Sequence, residues 1–175
     1  MSTSLYDLSV GSYLQVVGAT AAFLEKGAAH CAENGIALED VVGTSLYPDM
    51  ATFHFQAVCV THHSIGAIKG MQEGEFGRPA GYPDMDFSGL QELTNKTLDE
   101  LKALDVDEVN ALGGGQVTFK LGETQIPFTN ENFVMSFSLP NLYFHATTAY
   151  DILRMKGVPV GKRDFLGQMR MGVTD

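Results

Sequence analysis

The chain has 175 residues, which suits one domain and is ample for a sizeable core. With 45% hydrophobic and 18% charged residues it is neither disordered nor fibrous. A formal net charge of −10, with 11 Lys+Arg and no basic cluster, excludes the phosphate-facing patch of a nucleic-acid partner.

Met1 to Leu14 has no basic stretch followed by an apolar one, so no secretory signal is expected. No run of about 18 apolar residues occurs, so no membrane span or membrane partner is expected either. Cys31 and Cys59 are isolated and lack C-x-x-C spacing, which fits reduced thiols in a cytoplasmic setting.

Ser4-Leu5-Tyr6-Asp7 is a capping-box variant and opens a helix predicted over about 5–33. Leu5, Leu8, Tyr13, Val16, Val17, Phe23 and Leu24 give it a broad apolar face. Gly11, Gly18, Ala19, Ala21 and Ala22 leave room for a neighbouring helix to approach closely. Asn34-Gly35 ends the helix, and Leu38 to Val42 reads as a short connector.

A second helix is predicted over about 49–72, with Asp49 as its cap after Tyr47-Pro48. Its two apolar stripes carry Phe53, Ala57, Val60 and Ile68 on one side and His54, Val58, Cys59 and His62 on the next. His54 and His62 stand two turns apart, about 12 Å, too far to share one ion unaided. His62 and His63 diverge by about 100° and cannot chelate as neighbours. The Cys59–His62 pair, at i and i+3, is a weaker ligand alternative to ordinary core or solvent placement.

Glu73 to Phe87 is dense in Gly and Pro and reads as a loop. Ser88-Gly89-Leu90-Gln91 supplies a capping box for a third helix over about 88–104. Gly113-Gly114-Gly115 lacks a Lys-[Ser/Thr] partner and reads as a turn, not a phosphate loop. Alternation on both sides of Gly122-Glu123 predicts a β-hairpin over about 116–128, with Pro127 near its edge. The tail from Val158 has no regular period, and no repeat or linker divides the chain, so residues 1–175 form one domain.

The fourth helix, predicted over about 130–156, organises the rest. Thr129 and Asn130 are cap types, Glu131 suits the first turn, and Gly157 and Pro159 stop the helix. Phe133, Phe137, Asn141, His145, Thr148 and Ile152 recur on one face. Asn141 and His145 are its polar members, one turn apart and just after Pro140, whose ring frees the carbonyl of Ser136 and bends the helix. Two roles compete for this pair. Inward polar groups beside a kink mark a pocket, but a histidine on an apolar face is commonly a bonded core residue. An Asn beside Pro likewise often satisfies a freed carbonyl.

Four helices with a hairpin before the last resemble the DinB/YfiT-like superfamily of metal-dependent enzymes. LPNLYFHATTAYDILRMKGVPVGKRDFLG, SLYDLSVGSYLQVVG and LYPDM look like a branch of it with no assigned function, so the resemblance spans nearly the whole chain. It implies an all-α, up-down four-helix bundle, DinB-like, with the small hairpin before the last helix. It also implies a divalent metal, zinc or nickel, held by a His early in the second helix and an H-x-x-x-H pair on the fourth. Aligning LRMKGV puts His145 at the second His of that pair and Asn141 at the first, so this chain has N-x-x-x-H. The second-helix position falls between His54 and Val58. If His54 is the match, His54 and His145 are the metal ligands beside Asn141. If Gln56 or Val58 is, no metal site remains. Asn is a poor zinc or nickel ligand, so ligand chemistry favours no cofactor.

The expected function is therefore a bundle-core pocket around His145 and Asn141, serving a small-molecule ligand in a transferase, hydrolase or proton-transfer reaction. His145 is ligand or general base, Asn141 orients substrate or water, and Tyr150 or Asp151 is close by. The alternative is a non-catalytic helical protein whose polar pair only fixes the core. A homodimer is expected in either case.

Overall fold

The computed structural model describes residues 3–79 and 81–172; of the segments above, Met1, Ser2, Ala80 and residues 173–175 lie outside them. The chain is mostly helical, with one small sheet packed against the helices. Ser4 caps α1 (Leu5–Leu8) through the reciprocal bonds with Asp7 that its capping box predicts. A break at Ser9 separates α1 from α2 (Val10–Asn34), which ends at Gly35 with φ of 66°. The connector α3 (Leu38–Val42) follows as expected.

The second predicted helix is two helices. Tyr47 to Met50 forms a turn, and α4 (Phe53–His62) starts after Thr52, not at Asp49. The helix stops at His63, and α5 (Ile65–Glu73) resumes it. The Ser64 hydroxyl donates to the Val60 carbonyl at 2.7 Å, a back-bond of the kind that bends helices. Within the predicted loop lies a two-residue strand, β1 (Glu75–Phe76), so that loop is not entirely irregular. Gly70 lets β1 cross closely over α5, since a Cβ there would meet Glu75 O at 3.0 Å and Phe76 Cδ2 at 2.8 Å.

The third predicted helix, α6 (Phe87–Lys102), is capped by Asp86, whose carboxylate accepts from Gly89 N at 2.8 Å. The Ser88 capping box does not form. After the short α7 (Val106–Asn110), β2 (Gln116–Leu121) and β3 (Thr124–Thr129) make the predicted hairpin, with Gly122 at φ of 59°. β1 adds to β2 in parallel, giving the order β1-β2-β3, and Pro127 sits on the outer strand β3. Thr129 then caps α8 (Asn130–Phe133). A π-helical turn, Val134–Ser138, leads into α9 (Leu139–Met155) without interruption of the coil. The long fourth helix is therefore real but carries one extra residue in its winding.

A further helix, α10 (Lys162–Leu166), lies in the tail that shows no period. This segment lies along the small-residue side of α2. Gly167 meets Ala19, the Gln15 amide donates to Leu166 O at 2.8 Å, and the Arg170 guanidinium stands over Gly11. Room for a neighbour at α2 is thus shared between the tail and α6, whose Leu98 side chain reaches Gly18. The core divides into two clusters, one around Tyr13, Ile68, Phe133 and Leu142, the other around Phe23, Phe53, Phe87 and Ile152. Among the described residues, no helix is long and apolar enough to cross a membrane.

Candidate functional site

The site forms where α4 and α9 run side by side. His145 is buried, and its Nδ1 lies 2.7 Å from Gln56 Oε1. The amide orientation is set independently, because Gln56 Nε2 donates to the Ala51 carbonyl at 3.0 Å. The oxygen of Gln56 therefore accepts, and His145 carries its proton on Nδ1. That leaves a lone pair on Nε2. Nothing among the described residues bonds Nε2, and His145 as a whole is 9% exposed.

His63, the residue at the α4–α5 break, stacks on His145 with ring centroids 5.5 Å apart and planes 11° from parallel. Its carbonyl accepts from Ser138 Oγ at 2.7 Å, and Ser138 Oγ in turn accepts from the buried Tyr13 hydroxyl at 2.6 Å. The π turn thus delivers Ser138 to the broken end of α4. His63 Nδ1 is buried and has no partner among the described residues. His62 turns the other way and donates through Nε2 to Gly77 O at 2.9 Å. Phe55 and Phe144 flank His145, 41% and 55% exposed, each with its ring centroid within 6 Å of that of His145.

Burial dominates the electrostatics. It lowers the pKa of His145 to about 4, with the nearby His62 acting in the same direction. His63 falls to about 3 for the same reason, with smaller effects from His62 and His145. Both rings are uncharged at neutral pH.

The other expected site residues lie elsewhere or do other work. Asn141 is half-buried, and its Nδ2 donates to the Phe137 carbonyl at 2.7 Å, four residues back across the π turn. The carbonyl it satisfies is that of Phe137, not that of Ser136. Tyr150 faces the tail, where its hydroxyl donates to Val160 O at 3.3 Å between Phe23 and Phe165. His54 accepts from Met85 N at 3.3 Å. It is two positions from Gln56, about 200° around α4, so the structure does not bring His54 and His145 together.

A metal fits this arrangement poorly. Opposite His145 on α4 stands Gln56, and one turn before it on α9 stands Asn141; both amides are engaged, by His145 and by Phe137 O. Imidazole lone pairs lie in the ring plane, so stacked His63 and His145 project theirs side by side, not toward one ion. No group of three His, Cys, Asp or Glu among the described residues could hold a metal. Surface clefts lined by Tyr6, Gly11 and Arg170, about 390 Å³, and by Gly18, Leu98 and Gln168, about 490 Å³, flank the tail and do not reach His145.

Gln56 and His63 are the site residues that sequence reasoning undervalued. They are seven apart, two turns along one face of α4, and that spacing was the available signal.

No curated protein matches the chain. Its fold is similar to the crystal structure of a DinB family member protein from Shewanella denitrificans, with a TM-score of 0.77 and 22% identity. The match covers 97% of this chain and 96% of that one. The sequence profile of a domain of unknown function, DUF1993, matches residues 5–166. The chain therefore belongs to the DUF1993 family and has a DinB-like fold.

Proposed function

We propose that this protein binds a small molecule at the open edge of His145 and does so without a metal. The observation that carries this is the Gln56 bond, which holds the proton on Nδ1 and leaves the Nε2 lone pair free on a ring flanked by Phe55 and Phe144. An uncharged ring with a pKa of about 4 suits hydrogen-bond acceptance better than proton abstraction, for which a pKa near the working pH is optimal. The Asn141 amide nitrogen and the Tyr150 hydroxyl support the fold here, through Phe137 O and Val160 O. Nitrogen-15 NMR should find His145 neutral, protonated on Nδ1 and bare on Nε2 at pH 7. An Nε2–H tautomer would end the proposal.

A second reading, in which His145 is purely structural, is favoured by the ring being almost sealed and by Asn141 satisfying Phe137 O. His145→Ala separates the two: loss of ligand binding in a folded protein supports the site, and loss of stability alone supports the structural role. We read the four long helical stretches, α1–α2, α4–α5, α6 and α8–α9, as an up-down bundle. We also propose a homodimer, supported by Met135, Tyr143 and Met155 left exposed along the last helix. Light scattering that gives a particle of 18.9 kDa at micromolar concentration would overturn it.

A further inference from the structure

We infer that the His145 site selects a protonated amine carried on an apolar body, and rejects carboxylates. This rests on His145 being a ligand site, and three independent features of the site point to the ligand class.

The first is that the polar atoms the site offers are acceptors. His145 Nε2 presents a lone pair, because Nδ1 holds the proton against Gln56. Asn141 turns its amide nitrogen to the Phe137 carbonyl, which leaves its oxygen, another acceptor, one turn away on the same face. The second feature is charge. No Lys or Arg occurs between Gly27 and Ile68 or between Leu121 and Leu153, the stretches that contain α4 and most of α9. A carboxylate there would face these lone pairs with no cation on either stretch to offset them, and the chain's net charge of −10 opposes it further. The third is the rim. Phe55 and Phe144 leave aromatic surface exposed beside the acceptor, and aromatic faces attract ammonium groups as well as apolar bodies. An ammonium group supplies what each feature lacks.

Benzylamine and benzoate share one ring and differ in the sign of the charged group, so they form the test. Titrated separately into uniformly labelled protein at pH 7, benzylamine should shift the His145 ring signals and benzoate should not. In His145→Ala, benzylamine affinity should fall about tenfold, the size expected of one charged hydrogen bond. Phe144→Lys, at an exposed position and so not dependent on the core, should weaken benzylamine and admit benzoate. Benzoate binding as tightly as benzylamine to the unaltered protein would overturn the ligand class. So would an unresponsive His145 whose nitrogen shifts still show the Nδ1–H tautomer. Failure of the site itself is seen separately, as an Nε2–H tautomer before any probe is added.

Discussion

Gln56 and His145, 89 positions apart in the chain, share a 2.7 Å hydrogen bond that determines which imidazole nitrogen is free. Gln56 can do this because Ala51 O holds its amide nitrogen at 3.0 Å, so the pair is oriented from the backbone outward. Gln56→Glu should raise the pKa of His145 from about 4 by about one unit or more, since a carboxylate stabilises the imidazolium. Gln56→Leu should leave Nδ1–H unpaired and cost about 1–3 kcal/mol. Histidine ring titration by NMR reads the first effect, and urea unfolding the second. A Gln56→Glu protein with an unmoved His145 would show that the bond does not form.

The stacked histidines make folding sensitive to mild acid. In the unfolded chain both titrate near 6.5, whereas the folded values are about 4 for His145 and about 3 for His63. Above about pH 6.5 neither state is protonated and stability is at its plateau. As pH falls below that, the unfolded chain takes up protons that the folded rings refuse. Stability drops until the folded pKa values are passed. At pH 5 the loss is at most about 2 kcal/mol per ring, from 1.36 kcal/mol per pH unit. Urea midpoints at pH 7, 6 and 5 check this, and His63→Phe should flatten the decline. An unchanged midpoint across that range would refute it.

Ser138 links the π turn to the end of α4, and the two hydroxyls there should not be equivalent. Tyr13→Phe removes an outer donor and leaves the Ser138 bond to His63 O intact. Ser138→Ala leaves two buried groups without partners, the Tyr13 hydroxyl and the His63 carbonyl. An unsatisfied buried group costs about 1–3 kcal/mol, so Ser138→Ala should be the more damaging change although each substitution removes a single hydroxyl. Unfolding free energies in urea settle the order. Equal losses, or a larger one for Tyr13→Phe, would contradict the network.

The parts of this fold that local chemistry specifies were legible in the sequence. The Ser4–Asp7 box, the Thr129 cap, the Gly122 turn and the αL end at Gly35 all form as their residue types dictate. What tertiary contacts decide was not. β1 is two residues long and exists only because β2 pairs with it through Glu75↔Thr118 and Phe76↔Phe119. The break at His63 depends on Ser64, which looks like any polar residue on a helix until its hydroxyl turns back to Val60 O. Ser88 was the expected cap, but Asp86 holds that place, and Phe87 enters the core as the first helical residue. At the site, His145 on an apolar stripe was readable. Its partner was readable only as one of the positions between His54 and Val58, because the face of α4 that meets α9 is set by packing between them.

The same geometry predicts how a metal site could be introduced. We take Gln56, opposite His145, as the α4 position at which the resemblance expects a ligand, and Asn141 is the position one turn before His145. The unaltered protein should carry no stoichiometric zinc, because its two amides are engaged and amide oxygens suit zinc poorly. Asn141→His alone should change little, since Gln56 still supplies no imidazole. Gln56→His with Asn141→His places three imidazoles at the matched positions and frees His145 Nδ1 from the amide that fixes it. The double variant, made without a His tag, should hold one zinc per chain after dialysis, measured by elemental mass spectrometry, and zinc should raise its melting temperature. A double variant that stays empty would mean that Gln56 is not the matching position on α4. Stoichiometric zinc in the unaltered protein would mean that the amides and the stacked histidines do not prevent binding, and the metal-free proposal would fall with it.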